Sequence, residues 1–315
     1  MNKIPIIAVV GPTASGKTAL AVELAKMYDA EVVSCDSMQI YEGMDIATAK
    51  PSVDEMQGIP HHLISSISRD CNFSVAMYKE LASNTIADII AKGKRVILVG
   101  GTGLYAQALL DNLEFIDAPK NDDIRQSLLN RLEDQGIESL LVELEKIDSE
   151  TAKNLHPNNQ KRIIRALEVY YTSGQTMSQQ VQNSRINPSP YDVCMIGLDC
   201  KDRQKLYNRI NERVDMMLVN GLLEETRQYM KEVHKSTANQ AIGCKEIAQY
   251  LSGNVTLEQA TEKLKMETRR YAKRQLTWFR KDKRVNWLFV DEVEKFSQIV
   301  SQACKVIDDS KIFGG

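Results

Sequence analysis

The sequence predicts an α/β protein, a P-loop NTPase-like parallel-sheet core carrying an inserted all-helical domain. Three observations carry this. Short apolar runs alternate with helical patterns through the first third, a glycine-rich octet joins the first run to the first helix, and a later stretch shows helical stripes with no β-branched run at all. Alternation of this kind is what βα units around a parallel sheet require.

The elements follow in order. Ile4 to Val10 reads as the first strand, and Thr18 to Met27 as a helix with Leu20, Leu24 and Met27 at core spacing. Ala30 to Ser34 is a second strand ending at Cys35-Asp36-Ser37. After a loop rich in Pro and Gly, Ser74 can cap a helix reaching Lys92, and Arg95 to Val99 is a buried third strand that breaks at Gly100-Gly101-Thr102-Gly103. From about Pro119 to Tyr191 the pattern is helical, with a stripe of Ile124, Leu128, Leu129 and Leu132. Strand character returns at Tyr191 to Leu198 and again at Val285 to Val290. The expected organisation is therefore a first core part over 1–116, a helical insertion over 117–190 and a second core part over 191–315.

At 315 residues, 43% hydrophobic and 26% charged, the composition is that of an ordinary globular protein and excludes a disordered one. The apolar run at the N-terminus is too short to cross a bilayer and lacks the features of an export signal, so a cytoplasmic protein without a membrane partner is expected. Six scattered cysteines with no C-x-x-C pair suggest neither a zinc site nor a disulfide framework. The net charge of -2 hides an uneven distribution. Between Thr261 and Arg284 stand ten Lys or Arg and three Asp or Glu, a net +7, which leaves -9 for the rest.

The octet Gly11-Pro12-Thr13-Ala14-Ser15-Gly16-Lys17-Thr18 fits G-x-x-x-x-G-K-[ST] between a strand and a helix, the context that gives the motif its meaning. Backbone amides would cradle phosphate oxygens, Lys17 would add a point charge, and the Thr18 hydroxyl would reach Mg²⁺, the cofactor expected here. Nucleotide-hydrolysing relatives of such loops also need a strand ending in an acid, and the third strand ends in glycines instead. Asp199 and Asp291 follow strand-like runs but lie far along the chain. Asp36 lies at the edge where open α/β sheets place ligands, on the same rim as the loop. It can serve there as a base or merely cap the turn after it, and position alone does not choose.

The residues around Asp36 add more. Asp36-Ser37-Met38-Gln39-Ile40-Tyr41, Gly43-Met44-Asp45-Ile46-Ala47-Thr48-Ala49-Lys50-Pro51, Gly58-Ile59-Pro60-His61-His62-Leu63 and Gly100-Gly101-Thr102-Gly103-Leu104-Tyr105 together resemble the tRNA dimethylallyltransferase family. His156-Pro157-Asn158, Arg162 to Glu168 and Lys273-Arg274-Gln275 extend the resemblance over nearly the whole chain. It implies transfer of a dimethylallyl group from dimethylallyl diphosphate to N6 of the adenosine just 3′ of the anticodon. By the same resemblance, Thr13 to Thr18 bind the diphosphate together with Gly11, and Asp36 is the general base. Ser37, Met38, Gln39 and Thr102 contact the tRNA, with Gln39 reading the target base. An adenine amine has a delocalised lone pair, so a carboxylate on its proton helps as the new bond forms, while Lys17, Mg²⁺ and backbone dipoles neutralise the leaving diphosphate.

Arg213 falls beside the apolar stripe Leu206, Ile210, Val214 and Met217 and so points partly inward, where a guanidinium needs an anion. A diphosphate would supply it, as the resemblance implies; a local ion pair with Glu212 or Asp215 is the alternative. On the +7 helix, Leu264, Tyr271, Gln275, Trp278 and Phe279 share the core arc, and Arg269, Arg270, Lys273, Arg274, Arg280 and Lys281 take the other. That basic arc is either a solvated face or a phosphate-binding one, and such a charge on an acidic chain favours RNA. Trp278, at the edge of the core arc, could touch RNA.

In the insertion, Gln160, Lys161, Arg162 and Arg165 cluster while Ile163, Ile164 and Leu167 hold their helix to its own core. The family uses the stretch 160–165, Ile163 and Ile164 included, together with a residue resembling Arg125, to hold the anticodon stem-loop. Two basic walls flanking the pocket are therefore expected, with the target adenine turned out of its stack to enter. His61 and His62 lack partners at metal-ligand spacing and are expected to be structural. Ala47 stands where the family has glycine, and Cys244 where it commonly has an aromatic. A monomer is expected. Two other functions compete: an ATP-dependent small-molecule kinase relying on Asp199, and a non-catalytic RNA-binding factor with the loop as a switch.

Overall fold

The computed structural model describes residues 3–115, 121–231, 238 and 241–314. The chain divides into two compact units, residues 1–110 with 189–315, and residues 111–188. The expected boundary between 116 and 117, and Pro119 with it, lie outside the described residues.

The larger unit begins with strand β1 (Ile4–Val10), helix α1 (Lys17–Tyr28) and strand β2 (Ala30–Ser34). It continues through α2 (Val53–Met56), β3 (His61–His62), α3 (Val75–Ala91), β4 (Arg95–Gly100) and α4 (Gly103–Leu110). The smaller unit contributes α5 (Asp122–Ile147), α6 (Ser149–Lys153), α7 (Gln160–Ser173) and α8 (Met177–Asn183). The larger unit resumes with β5 (Tyr191–Asp199), α9 (Arg203–Val219), α10 (Leu222–Met230), α11 (Cys244–Leu251), α12 (Leu257–Phe279), β6 (Val285–Phe289) and α13 (Phe296–Ser310).

The six strands form one parallel sheet in the order β3-β2-β4-β1-β5-β6. β1 is central, and Ile6, Ile7, Val9 and Val10 are wholly buried because helices cover both faces. Each such side chain stabilises the fold by roughly 1.5–3 kcal/mol relative to leaving it exposed. Where three strands were expected before the insertion, there are four. The extra one, β3, is a two-residue edge strand whose His61 and His62 pair with Val32 and Val33. The parallel arrangement brings the C-terminal ends of β1, β2 and β4 to one rim, with β4 between the other two.

The smaller unit is helical. Gly136, at φ 77°, interrupts α5, so that two helical arms meet there. Its core is built from Leu128, Ile137, Leu140, Leu144, Ile163, Ile164 and Leu167. Ile163 and Ile164, expected to hold their helix to its core within the RNA-holding stretch, are 0% and 3% exposed and do belong to that core. Beside them the fully buried carboxylate of Glu168 pairs with Arg125 at 3.1 Å and Arg165 at 3.2 Å. Gln160, Lys161 and Arg162 are exposed. All six cysteines of the chain are free thiols, and among the described residues no helix is long and apolar enough to cross a membrane.

Candidate active site

The loop after β1 owes its shape to three residues in the left-handed region, Gly11 at φ 137°, Ala14 at 61° and Gly16 at 92°. Gly11 is obligatory for space as well, since a Cβ there would stand 2.4 Å from the Leu198 carbonyl oxygen. Ser15 is buried and donates its hydroxyl to the Pro12 carbonyl at 2.9 Å, which stiffens the turn. Gly16 precedes α1 without any side-chain cap, so the first amides of that helix are left for an anion.

The Lys17 ammonium donates to the Pro12 carbonyl at 2.6 Å. Burial first, then the Arg213 charge, pull its pKa down to about 8, against the opposing pull of Asp36 and Cys35. A lysine so placed is short of negative charge.

Arg213, on α9, reaches the loop from the other side: Nη1 donates to the Thr13 hydroxyl at 3.2 Å and Nη2 to the Ala49 carbonyl at 3.1 Å. It makes no ion pair with Glu212 or Asp215; Asp215 pairs with Lys265 instead. Burial lowers the Arg213 pKa, with the charges of Glu55 and Asp36 working the other way. Two cations thus converge on the loop.

Asp36 follows β2. Its Oδ1 accepts the amides of Met38 at 2.9 Å and Gln39 at 3.3 Å, so it does cap the turn. Oδ2 has no hydrogen-bond partner among the described residues, and Asp36 lines the cavity next to the loop. Capping and acting as a base use different oxygens and do not exclude each other.

That cavity has a volume of about 280 Å³. Thr13, Lys17, Thr18, Asp36 and Arg213 form its polar end; Ile210, Val214, Met217, Ala241, Ile242 and Leu264 supply an apolar wall; and Ser37, Met38, Gln39 and Arg274 also line it. Thr102 stands behind, its hydroxyl accepting the Ser37 amide at 3.0 Å. Gln39 donates to the carbonyls of Thr48 at 3.2 Å and Ala49 at 3.1 Å, which fixes its amide at the cavity edge. The glycines after β4 answer to crowding: a Cβ at Gly100 would meet the Cys35 carbonyl oxygen at 2.5 Å, and one at Gly103 the Trp278 ring at 2.1 Å.

Three further residues shape this site in ways that their places in the sequence do not specify. Glu225 on α10 accepts the amides of Asp45, Ile46 and Ala47, each at 2.8 Å, and so holds the loop that lines the cavity. Tyr271 was assigned to core packing but lines the cavity. Gln275 ties the loop to the β4 end, its Oε1 accepting the Thr13 amide at 2.9 Å and its Nε2 donating to the Gly101 carbonyl at 3.1 Å.

The basic arc of α12 is only partly uncommitted. Arg269 bonds Asn211 at 2.6 Å, and Arg270 pairs with Glu267 at 2.7 Å. Arg280 is bonded to Asp199 at 2.9 Å. Lys273 and Arg274 are exposed and carry no acidic partner among the described residues, and the Arg274 guanidinium lies over the Tyr271 ring at 5.6 Å. Trp278 packs on Gly103 yet keeps 38% of its surface exposed. Asp199, on which a kinase would rely, is 1% exposed, with one oxygen toward Arg203 at 3.4 Å and the other on Arg280.

His61 Nδ1 is bonded to the Ile59 carbonyl and His62 Nε2 to Glu31, and among the described residues no cluster of three metal-ligating side chains occurs. Ala47 faces Gly243: a Cβ on that glycine would lie 3.0 Å from the Ala47 methyl. Cys244 is core, not cavity wall, and burial pushes its thiol up to about 12.

Comparison with known proteins adds to this geometry. The IPP transferase family model matches residues 39–282. The tRNA dimethylallyltransferase of Thermoanaerobacter sp. (strain X514) is 46% identical over 308 residues, covering 96% of this chain and 98% of its own length. That of Geobacillus thermodenitrificans is also 46% identical, over 304 residues and 96% of each chain. Among solved structures, the tRNA isopentenylpyrophosphate transferase of Bacillus halodurans superposes with a TM-score of 0.73 at 43% identity, covering 98% of this chain and 97% of that one. A eukaryotic dimethylallyltransferase acting on tRNA gives a TM-score of 0.77 at 29% identity, covering 97% and 80%.

Proposed function

The chain belongs to the IPP transferase family and is a transferase, and from that premise we propose that it moves a dimethylallyl group from dimethylallyl diphosphate to N6 of the adenosine 3′ to the anticodon of tRNA. The observation that carries the reading is one cavity with Lys17, Arg213 and uncapped helix amides at one end, an apolar wall beside them, and the Asp36 carboxylate facing the same space. A diphosphate with a short hydrocarbon tail matches the first two features, and an amine that must lose a proton matches the third.

The amides at the start of α1, Lys17 and Arg213 bind the diphosphate. Two cations and a helix N-terminus stabilise the charge that grows on the bridging oxygen as it leaves. Ile210, Val214, Met217, Ile242 and Leu264 hold the isoprenoid tail away from water, which protects the reacting carbon from hydrolysis. The N6 amine attacks C1 of the tail. The N6–C1 bond forms, the C1–O bond breaks with its electron pair going to diphosphate, and the N6 proton passes to Asp36 Oδ2. Oδ1 stays on the amides of Met38 and Gln39, so the base is held while it works.

The oxygens at hand suit magnesium, a hard cation that prefers a few carboxylate or hydroxyl ligands together with substrate phosphates. Thr18 and the diphosphate oxygens would hold Mg²⁺, which when bound neutralises part of the leaving group's charge. Lys273 and Arg274 meet the phosphates of the tRNA, and Arg125 with Gln160, Lys161, Arg162 and Arg165 serves the anticodon stem-loop. The cytoplasm and a monomeric enzyme go with this reading.

A transfer assay with dimethylallyl diphosphate labelled in its hydrocarbon tests it. Label moving into unmodified tRNA, and not into the same tRNA with guanosine at the target position, is the expected result. Label that stays on the donor, or phosphate transfer from ATP in its place, would sink the reading.

A further inference from the structure

We propose that Gln275 is a positioning residue through which the RNA-facing helix α12 sets the shape of the diphosphate loop, a role that rests on the function given above. Gln275 is 5% exposed, and a buried primary amide costs stability unless both of its ends are paired. Both are: the oxygen takes the Thr13 amide, and the nitrogen gives to the Gly101 carbonyl. The fit leaves no slack, since a Cβ on Gly101 would stand 2.0 Å from the Gln275 amide nitrogen.

One turn further along the same helix, Trp278 covers Gly103. The inner edge of α12 is therefore keyed to Gly101 and Gly103, and Gln275 bonds onward to the diphosphate loop. Lys273 and Arg274, exposed and adjoining Gln275 in sequence, project from the same turn. A shift of α12 caused by phosphates on those two side chains is passed directly to the Thr13 amide through Gln275.

Thr13 is where the loop needs holding. Its hydroxyl is taken by Arg213 and its amide by Gln275, and the next residue, Ala14, sits at φ 61°, a conformation unfavourable for a residue with a Cβ. Without the Gln275 bond the loop relaxes away from its phosphate-binding form and donor affinity falls. Because coupling between two binding sites is reciprocal, tRNA bound on α12 strengthens donor binding through Gln275, and donor strengthens tRNA binding by the same factor, at most about threefold; the larger part of the bond's effect on the donor is the loop shape itself.

The test is Gln275→Met, which keeps the length of the side chain and removes both bonds, with Gly101→Ala as a second variant that displaces the same amide from outside the helix. Donor KM, tRNA KM and kcat are measured for each, along with hydrogen exchange of the amides of residues 11–16. The expected result is a donor KM raised about tenfold, the effect of losing a bond or two to backbone, with tRNA KM and kcat changed less than about threefold by the same scale. Loop exchange becomes faster, and adding tRNA slows it in the unaltered protein but not in the variants. Unchanged donor KM and loop exchange would overturn the proposal, as would donor and tRNA KM rising together, the sign of a general structural defect. Failure of the unaltered protein to transfer at all counts against the function above, and loop exchange then decides Gln275 alone: faster in the variants supports it, unchanged overturns it.

Discussion

Arg213 Nη1 donates to the Thr13 hydroxyl at 3.2 Å, closing the diphosphate loop against a helix 200 residues further along the chain. With no acidic side chain paired to it among the described residues, the guanidinium is available to the anionic ligand proposed above. Arg213→Met should raise the donor Kd roughly 10- to 100-fold, the value of a charge-assisted bond or two. Arg213→Lys should recover little, because a point charge cannot reach Thr13 and Ala49 together. Equilibrium binding of dimethylallyl diphosphate checks both.

Asp36→Asn keeps an oxygen for the amides of Met38 and Gln39 and loses only the ability to take a proton. A fall in kcat of roughly 10²- to 10⁴-fold is expected, the usual worth of a positioned general base. Binding of tRNA and donor should stay within a few-fold by the same reasoning. Single-turnover transfer separates the two effects, and an unchanged rate would reassign Asp36 to turn capping alone.

Lys17 gives the donor site a pH dependence. Its pKa in the unliganded protein is about 8, lowered by burial and by Arg213. A bound diphosphate favours the charged form, so above about pH 8 binding must take up a proton, and affinity should fall by up to about tenfold per pH unit. Below that pH the lysine is already charged and contributes no slope. Titrating donor binding between pH 7 and 9.5 shows the break, and Lys17→Met, with weaker binding throughout, should lack it.

Arg274 is exposed, stacked on Tyr271 and without an acidic partner among the described residues. Arg274→Ala should weaken tRNA binding and reduce the slope of log K against log salt by about 1, the release of one phosphate contact. Arg270→Ala, whose guanidinium is already paired with Glu267, should move that slope less. Filter binding across a salt series distinguishes them.

The parts of this site that depend on local sequence were legible, and those that depend on distant pairing were not. Strands such as Ile4–Val10 and Arg95–Gly100 are β-branched runs bounded by glycine, and the octet from Gly11 to Thr18 dictates its own turn. His61–His62 left no such trace, because two residues become a strand only through pairing with β2. Gln275 shares an arc with Leu264 and Phe279 and so reads as core, and nothing near it in the chain announces a bond to Thr13. Glu225 falls in the first turn of α10, where an acid is ordinary, although its carboxylate binds three amides of another loop. Ile163 and Ile164 were legible as core from their spacing with Leu167, although they stand among basic residues.

In the proposed reaction the P-loop holds a leaving diphosphate while Asp36 deprotonates an adenine amine. The most direct measurement is mass spectrometry of the nucleosides from tRNA incubated with dimethylallyl diphosphate, Mg²⁺ and either the unaltered protein or Asp36→Ala. One dimethylallyl unit on the adenosine 3′ to the anticodon is expected with the unaltered protein and almost none with the variant. No adduct on any tRNA, or full modification by Asp36→Ala, would contradict it.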